Sequence, residues 1–361
     1  MPAVKLKSAE KFCVETLNFY GVSKSHAEII SEVILDSELR GYADHGLSFL
    51  KNIIIEFGFI NKTMNPTPEI KVIKDDGSTL LLDGDGGCGA IASRIAMDLC
   101  IERAQTHGIV AAGIKNSGNI IAPAMFALDA AAQGLFGYCT SNIIGLMAPF
   151  GGASRTFGTN PTAYAFPTSN PDVPFLFDMS ASTVAAAKIM MAAAAGDEIE
   201  EGLIQDYEGN PSVDPFDFLG QPESNPDASE LGTILPSGGV KGYGLAMVAD
   251  ILSGVLTGAS YGRNLQIDSV STDRPGQFML VFDIERFLPL FDFQDRLDDQ
   301  ISGIKGGRKK VGVDEILIPG ERGLRLKADA KSKGILTISD QTHKSMCELA
   351  SMTGCKVPVL V

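Results

Sequence analysis

The chain has 361 residues, 44 acidic against 30 basic side chains, a formal net charge of -14, and 45% hydrophobic with 20% charged residues. That balance belongs to a globular protein with room for two domains, and it argues against a nucleic-acid partner, which an acidic surface repels. No apolar run reaches membrane-spanning length and Met1-Pro-Ala-Val-Lys5 leads into no signal-like apolar stretch, so no membrane partner and a cytoplasmic location are expected.

In chain order, Ala9, Phe12, Cys13, Leu17 and Tyr20 lie at helical spacing; Gly21 stops that helix and Ser23 caps a second through Glu38. Residues 51 to 60 continue an apolar, helical or mixed pattern. Thr79 to Asp83 reads as a strand, followed by glycines, a helix from about Ala90 to Thr106, and a strand over Gly108 to Ile114. A helix from about Ala122 to Gln133 precedes a strand at 135 to 140. Phe175 to Met179 is a short strand entering an Ala-rich helix over 181 to about 195. Residues 196 to 240 are polar and Gly/Pro-rich, an ordered excursion or lid. A buried helix covers Gly242 to Thr257, followed by a strand over Phe278 to Phe282, a helix over Phe291 to Ile304 and a closing helix after Ser339. A mixed α+β class is implied.

The six cysteines form no CxxC pair, and the four histidines show no HxH or HExxH spacing, so reduced thiols and no metal site are expected. The basic run Lys305 to Lys310 reads as a solvated loop. Gly84-Asp-Gly86-Gly-Cys-Gly89 satisfies GxGxxG between a strand and a helix. No repeated βαβ series surrounds it, and the next strand ends in Lys115-Asn116 where a ribose-binding acid belongs. It is read as a structural turn.

The segment Leu146 to Pro167 is the densest in turn chemistry. Its Pro149-Phe-Gly-Gly152 and Gly158-Thr-Asn-Pro161 are framed by apolar runs, and Pro161 biases Asn160 away from helix. That combination suggests a loop held over a core, where ligands are bound. Asp44-His45-Gly46 places an imidazole beside a carboxylate. Histidine titrates near neutrality, so it can protonate a substrate oxygen or nitrogen while Asp44 orients or charge-stabilises the ring. Alone, such a pair reads first as a helix-terminal contact.

Taken with Arg40-Gly-Tyr-Ala-Asp-His-Gly46, Ala148 to Gly152, Gly158 to Pro161, Asp178-Met-Ser180, Gly239-Val-Lys-Gly-Tyr-Gly-Leu245, Leu256 to Ala259 and Pro319-Gly-Glu-Arg322, the chain resembles the type 2 malate/L-lactate dehydrogenase family from about residue 8 to 355. The resemblance implies a non-Rossmann NAD(P)-binding α+β fold with a mixed or antiparallel sheet and a helical domain. Residues 1–75 plus 243–361 would form the helix-rich part and 76–242 the cofactor and substrate part. It implies a homodimer binding NAD or NADP, with His45 as proton donor and Thr162 as a substrate contact. Asp178, Ser180, Lys241, Gly242 and Arg322 are implied cofactor contacts.

Four positions, in three segments, depart from that family. It usually has Ser before the histidine and Arg four residues after it; here these are Asp44 and Phe49. Loss of the bidentate cation removes the carboxylate clamp, so Phe49 points to a more apolar substrate than a 2-oxo dicarboxylate. Asn119 stands in the segment beside the nicotinamide where the family has Asn-His, and Val240 replaces a histidine before Lys241. Lys188, ten residues after Asp178, matches the hydroxy-acid branch where imino acid reductases tend to have an acid. The expected activity is hydride transfer to a small carbonyl compound or cyclic imine, or its reverse. The alternative is a binding or non-redox member whose cofactor site is lost or reused.

Overall fold

In the computed structural model residues 2–221, 230–265 and 273–361 are described. Strand β1 (Ala3–Lys5) leads into α1 (Leu6–Phe19) and α2 (Lys24–Leu39), followed by a 3-10 turn at Ala43–His45 and the short α3 (Leu47–Phe49). A π-helix continues over Leu50–Ile60. Next come β2 (Lys71–Asp75), β3 (Thr79–Asp83), α4 (Gly89–His107), β4 (Ile109–Lys115), α5 (Ala124–Ala132) and β5 (Leu135–Ser141). A long loop reaches β6 (Thr162–Phe166), β7 (Phe175–Met179) and α6 (Ala186–Ala195). The polar excursion holds β8 (Ile204–Gln205), β9 (Pro211–Ser212), α7 (Pro215–Leu219) and β10 (Thr233–Ile234); its residues 222–229 lie outside those described. Then follow α8 (Val240–Asp250), a π-turn at Ile251–Val255, β11 (Gln277–Asp283), α9 (Leu290–Lys305), α10 (Glu321–Lys333), β12 (Ile335–Thr337) and α11 (Asp340–Thr353).

The helices at the start form for the reasons their spacing suggests. Gly21 takes φ +90°, which ends α1 without strain, and the Ser23 hydroxyl accepts the His26 N–H at 3.3 Å to cap α2. Phe12, Leu17, Ile30 and Ile34 are at most 1% exposed; each contributes roughly 1.5–3 kcal/mol by leaving water. Past Ile30, α2 buries Asp36, Ser37 and Glu38 along with its apolar residues, so this turn of helix is enclosed on every side.

Seven strands form the main sheet in the order β2-β3-β4-β11-β5-β6-β7. Only β3 and β4 run parallel; every other neighbouring pair is antiparallel. The fold is therefore α+β with a mixed sheet. A single β3-α4-β4 unit exists, but β11 enters antiparallel beside β4 and prevents a doubly wound series. The sheet takes β2 and β11 from the ranges 1–75 and 243–361, so it is built from both sides of the expected domain boundary. Central strand β5 is buried at all seven positions.

The glycines after β3 are packed by protein. A Cβ on Gly84 would lie 2.9 Å from the Asn116 carbonyl oxygen, one on Gly87 2.4 Å from Pro68 Cγ, and one on Gly89 2.5 Å from the Gly118 oxygen. The segment is a tight turn against β4's exit loop. Helix α10, the exposed strand β2 and the edge pair β1–β12 were not anticipated, and the Ala-rich helix begins at Ala186 after an irregular stretch from Ser180.

Candidate active site

His45 closes the 3-10 turn between α2 and α3. Its Nδ1 lies 3.3 Å from Asp44 Oδ2, and its ring stacks on Phe49 with centroids 5.4 Å apart and planes 16° from parallel. Burial raises Asp44's pKa, but the hydrogen bond and charge of His45 and the charge of Lys188 outweigh it, holding the carboxyl below its usual range. Asp44 is thus an anion that accepts from Nδ1 and leaves Nε2 as the atom free to give or take a proton. Phe49, only 8% exposed, lines the ring's face and offers no charge.

A chain of ion pairs runs behind the turn. Lys327 of α10 holds Asp36 at 2.6 Å, Asp36 holds Arg40 Nε at 2.8 Å, and Arg40 Nη1 reaches Asp178 of β7 at 3.6 Å. Arg40 is 1% exposed, and its Nη2 is buried with no hydrogen-bond partner. Burial pushes the Asp178 carboxyl up, against the lowering effects of Arg40 and His45. Asp178 therefore sits within the electrostatic reach of His45 and is anchored to the helix that precedes it.

Thr162 begins β6 opposite Thr140 of β5, and their hydroxyl oxygens are 3.2 Å apart. Asn160 just before it takes φ +39°, an uncommon conformation for a residue with a side chain. Its amide donates to the Ala246 oxygen of α8 at 2.9 Å, while its buried Oδ1 has no partner. The preceding loop folds back on itself through Met147 and Phe157 and docks on β10, with Ile234 N–H donating to the Leu146 oxygen. Arg155 clamps it by donating to the carbonyls of Gly232 and Phe218. This is the held loop expected from its framing.

Asn119 spends its Oδ1 on the Ile121 N–H at 2.7 Å, which supports Ile121 at φ +73°. The side chain's amide nitrogen has no hydrogen-bond partner among the described residues. Ser180 and Gly242 are brought together by the backbone: Ala181 N–H donates to the Thr159 oxygen, Ser237 N–H to Ala181, and Gly242 N–H to Ser237. A Cβ on Gly242 would meet the Ser237 oxygen at 2.3 Å, so this glycine permits the crossing of two chains. Lys241 is exposed in the first turn of α8, which Gly239 starts without a side-chain cap. Arg322 is exposed at the start of α10, one residue from Gly323, which packs on Arg40.

A cleft of ≈ 570 Å³ opens at this end of α8, between Pro149–Ala153 and Gly238–Gly239. An uncapped helix start with a lysine in its first turn and an open cleft at its mouth is suited to phosphate. That helix start and cleft have the chemistry to take a dinucleotide's phosphates; Ser180 and Asp178 do not line the cleft, the Ser180 hydroxyl being engaged with Ser182 and the Asp178 carboxylate with Arg40. A larger cleft of ≈ 1180 Å³ lies between α1, α2, α10 and α5; His45 is not among its lining residues.

The sequence profile of the family described as malate/L-lactate dehydrogenase matches residues 4–347. The chain belongs to this family. It is similar to the malate dehydrogenase of Pyrococcus abyssi, 33% identical over 352 residues covering 96% of this chain and 93% of that one. To the L-sulfolactate dehydrogenase of Methanocaldococcus jannaschii it is 30% identical over 356 residues, 98% of both chains. The solved malate dehydrogenase of Pyrococcus horikoshii superposes with a TM-score of 0.86 at 30% identity, covering 99% of this chain and 97% of that one. The protein is accordingly an oxidoreductase of the dehydrogenase type.

The arrangement joins His45, Asp44 and Phe49 directly, holds Asp178 on Arg40 within electrostatic reach of His45, and places Ser180, Lys241 and Gly242 along the neighbouring backbone path. Sequence reasoning missed the buried ends of α2. Arg40 was read only as part of a motif, and Glu38 only as the end of a helix. Glu38 Oε2 accepts the Leu47 N–H at 2.8 Å. The signal that could have exposed it is Gly46, whose glycine is required because a Cβ there would lie 1.9 Å from that same oxygen.

Proposed function

We propose that the protein transfers hydride between NAD or NADP and a small carbonyl or hydroxy compound, or a cyclic imine, other than a typical 2-oxo dicarboxylate. The observation that carries this reading is the His45 ring held by Asp44 on one nitrogen and stacked on Phe49, with Nε2 left for proton exchange. The bound dinucleotide would supply the hydride. In the reducing direction His45 gives a proton from Nε2 to the substrate oxygen or nitrogen; in the oxidising direction it takes that proton. Asp44 and Asp178 offset the imidazolium charge, and Thr162 offers a hydroxyl to the substrate. Asn119, Asp178, Ser180, Lys241, Gly242 and Arg322 hold the dinucleotide.

Phe49 supports the substrate class. It fills the place of a cationic fork with an apolar ring, and Asp44 adds a negative charge beside it, so a second carboxylate on the substrate meets no clamp. Lys188 remains as a cation near Asp44 and favours a hydroxy/oxo couple. A cytoplasmic homodimer completes the reading. Its support is an apolar face on α8 and the following π-turn, where Leu245, Val248, Ile251, Val255 and Leu256 are all exposed.

Titration of reduced-nicotinamide fluorescence with NADH and NADPH tests the reading first. Binding of either, followed by turnover of neutral ketones, hydroxy acids or cyclic imines in preference to dianionic oxo acids, is the expected result. No binding of either dinucleotide at about millimolar concentration, far weaker than ordinary enzyme–ligand affinity, would leave the non-redox alternative standing.

A further inference from the structure

Glu38 is the one carboxyl of the site region that no step above uses. It sits in the enclosed last turn of α2 and is 6% exposed. Its Oε2 accepts the Leu47 N–H at 2.8 Å, and the space over it is the space a Gly46 side chain would need: an added Cβ would lie 1.9 Å from Oε2, 2.8 Å from Cδ and 3.0 Å from Cβ. The Gly46–Leu47 peptide is therefore packed against this carboxyl with its N–H directed at Oε2. That peptide lies one residue beyond His45, and α3, which it opens, carries Phe49, the ring's stacking partner.

We propose that Glu38 is a positioning residue for His45, fixing the peptide that follows the imidazole so that Nε2 faces the substrate. The proposal rests on the reading of His45 as the proton carrier. It explains a pairing that neither residue explains alone. A glycine after the histidine is needed because the buried acid fills its side-chain space, and the acid is needed because the 3-10 turn ends at Gly46 with no side chain to cap α3. Leu47 N–H, the first amide of α3, finds its acceptor in Glu38.

The groups facing this carboxyl come from three elements. The turn brings Asp44, whose charge adds to burial in pushing Glu38 up to about 7, while the Leu47 N–H pulls it down. Helix α1 brings Cys13, a buried thiol itself pushed up to about 12 and so neutral. Helix α3 brings the Leu47 amide. The cations that α10 and α4 bring to α2, Lys327 and Arg94, are engaged by Asp36 and Glu32. Glu38 thus changes charge near neutrality beside the anion that orients His45, and the acid–base behaviour of the site should carry its ionisation.

Three variants separate the roles. Glu38→Leu removes the acceptor, Glu38→Gln keeps an acceptor without ionisation, and Gly46→Ala drives the peptide off the carboxyl. With a substrate found by the screen above, Glu38→Leu and Gly46→Ala should lower kcat by about 30-fold or more, the scale of a displaced catalytic group, while dinucleotide binding by fluorescence changes less than about threefold. Glu38→Gln should restore most of kcat but lose an inflection in the kcat/KM profile near pH 7. Hydrogen exchange at the Leu47 amide gives a readout independent of turnover. It should be protected in the wild type and in Glu38→Gln, and should accelerate at least about tenfold in Glu38→Leu. If no substrate is turned over but exchange follows this order, the anchoring stands and the functional reading is at fault. A folded Glu38→Leu with wild-type kcat and wild-type Leu47 protection would overturn the proposal. So would a Glu38→Gln pH profile superimposable on that of the wild type. Should Glu38→Leu fail to fold, Glu38→Gln and Gly46→Ala carry the same test.

Discussion

Burial of Glu38 should leave a measurable imprint on stability as a function of pH. In the folded chain its carboxyl is raised from 4.5 to about 7, chiefly by burial, with Asp44's charge adding to the effect. A carboxyl whose folded pKa lies above its unfolded value binds more protons in the folded state, so unfolding stability falls as pH rises between the two values. A displacement of this size is worth roughly 3 kcal/mol. None of that cost is present below about pH 4.5; it accumulates toward pH 7 and stays constant above. Glu38→Gln cannot ionise, yet its amide oxygen can still accept from Leu47. Relative to the wild type the variant should therefore gain stability progressively from pH 4.5 to 7 and hold that gain at higher pH. Denaturant melts of both proteins at intervals from pH 4 to 8.5, read at constant m-value, measure this directly. Two parallel stability curves, or a variant that falls behind as pH rises, would refute the reasoning.

Three further outcomes follow from the same geometry. His45→Asn should abolish turnover while leaving dinucleotide fluorescence binding nearly unchanged, and wild-type turnover in that variant would remove His45 from the mechanism. Phe49→Arg should raise kcat/KM for a 2-oxo dicarboxylate roughly ten- to a hundredfold, the worth of a charge-assisted bidentate contact; no gain in a folded variant would show that Phe49 does not face the substrate's second carboxylate. Arg40→Met should destabilise the fold by roughly 3–5 kcal/mol, because it leaves the buried Asp178 without its cation and Asp36 with Lys327 alone. A loss below about 1 kcal/mol in denaturant melts would mean those carboxyls take up protons instead.

Much of this architecture was legible because its parts obey simple periodicities. Helices α1 and α2, the β3-α4-β4 unit and strands β5, β7 and β11 all alternate or repeat as their environment requires. The family resemblance, carried by motifs such as Gly158-Thr-Asn-Pro161, is met by the match over residues 4–347. Other parts carry no such signal. Strand β2 is Lys-Val-Ile-Lys-Asp, exposed at all five positions, so no face is selected and only edge pairing with β3 makes it a strand. Helix α10 has low apolar content and buries only Glu321, Gly323 and Leu324, held by packing on Arg40 rather than by an apolar stripe. The last turn of α2 defeats periodicity in the opposite way: with every side buried, Asp36 and Glu38 look like solvent-facing residues in sequence and are interior in space. The glycine fingerprint at Gly84–Gly89 has the spacing of a pyrophosphate turn, but its missing βαβ series and Lys115-Asn116 already pointed to a structural turn, and the filled space above its glycines agrees.

The charges around His45 alternate in sign along one path. Lys327, Asp36, Arg40 and Asp178 approach from α10 and α2 to β7, Asp44 meets the ring at Nδ1, and the charge of Lys188 reaches Asp44. Asp44 and Asp178 lie where they offset the charge the ring carries while it holds a proton in transit. The same arrangement works against an anionic substrate. Every additional negative charge brought to Nε2 enters a region where Asp44 and Asp178 already supply two, with Phe49 where a guanidinium would have offset them. The proposed selectivity against dianions thus has an electrostatic origin, and Phe49→Arg, which puts a fixed cation beside the stacked ring, should relax it; an unchanged ratio of kcat/KM between dianionic and less charged substrates in a folded Phe49→Arg variant would refute that origin.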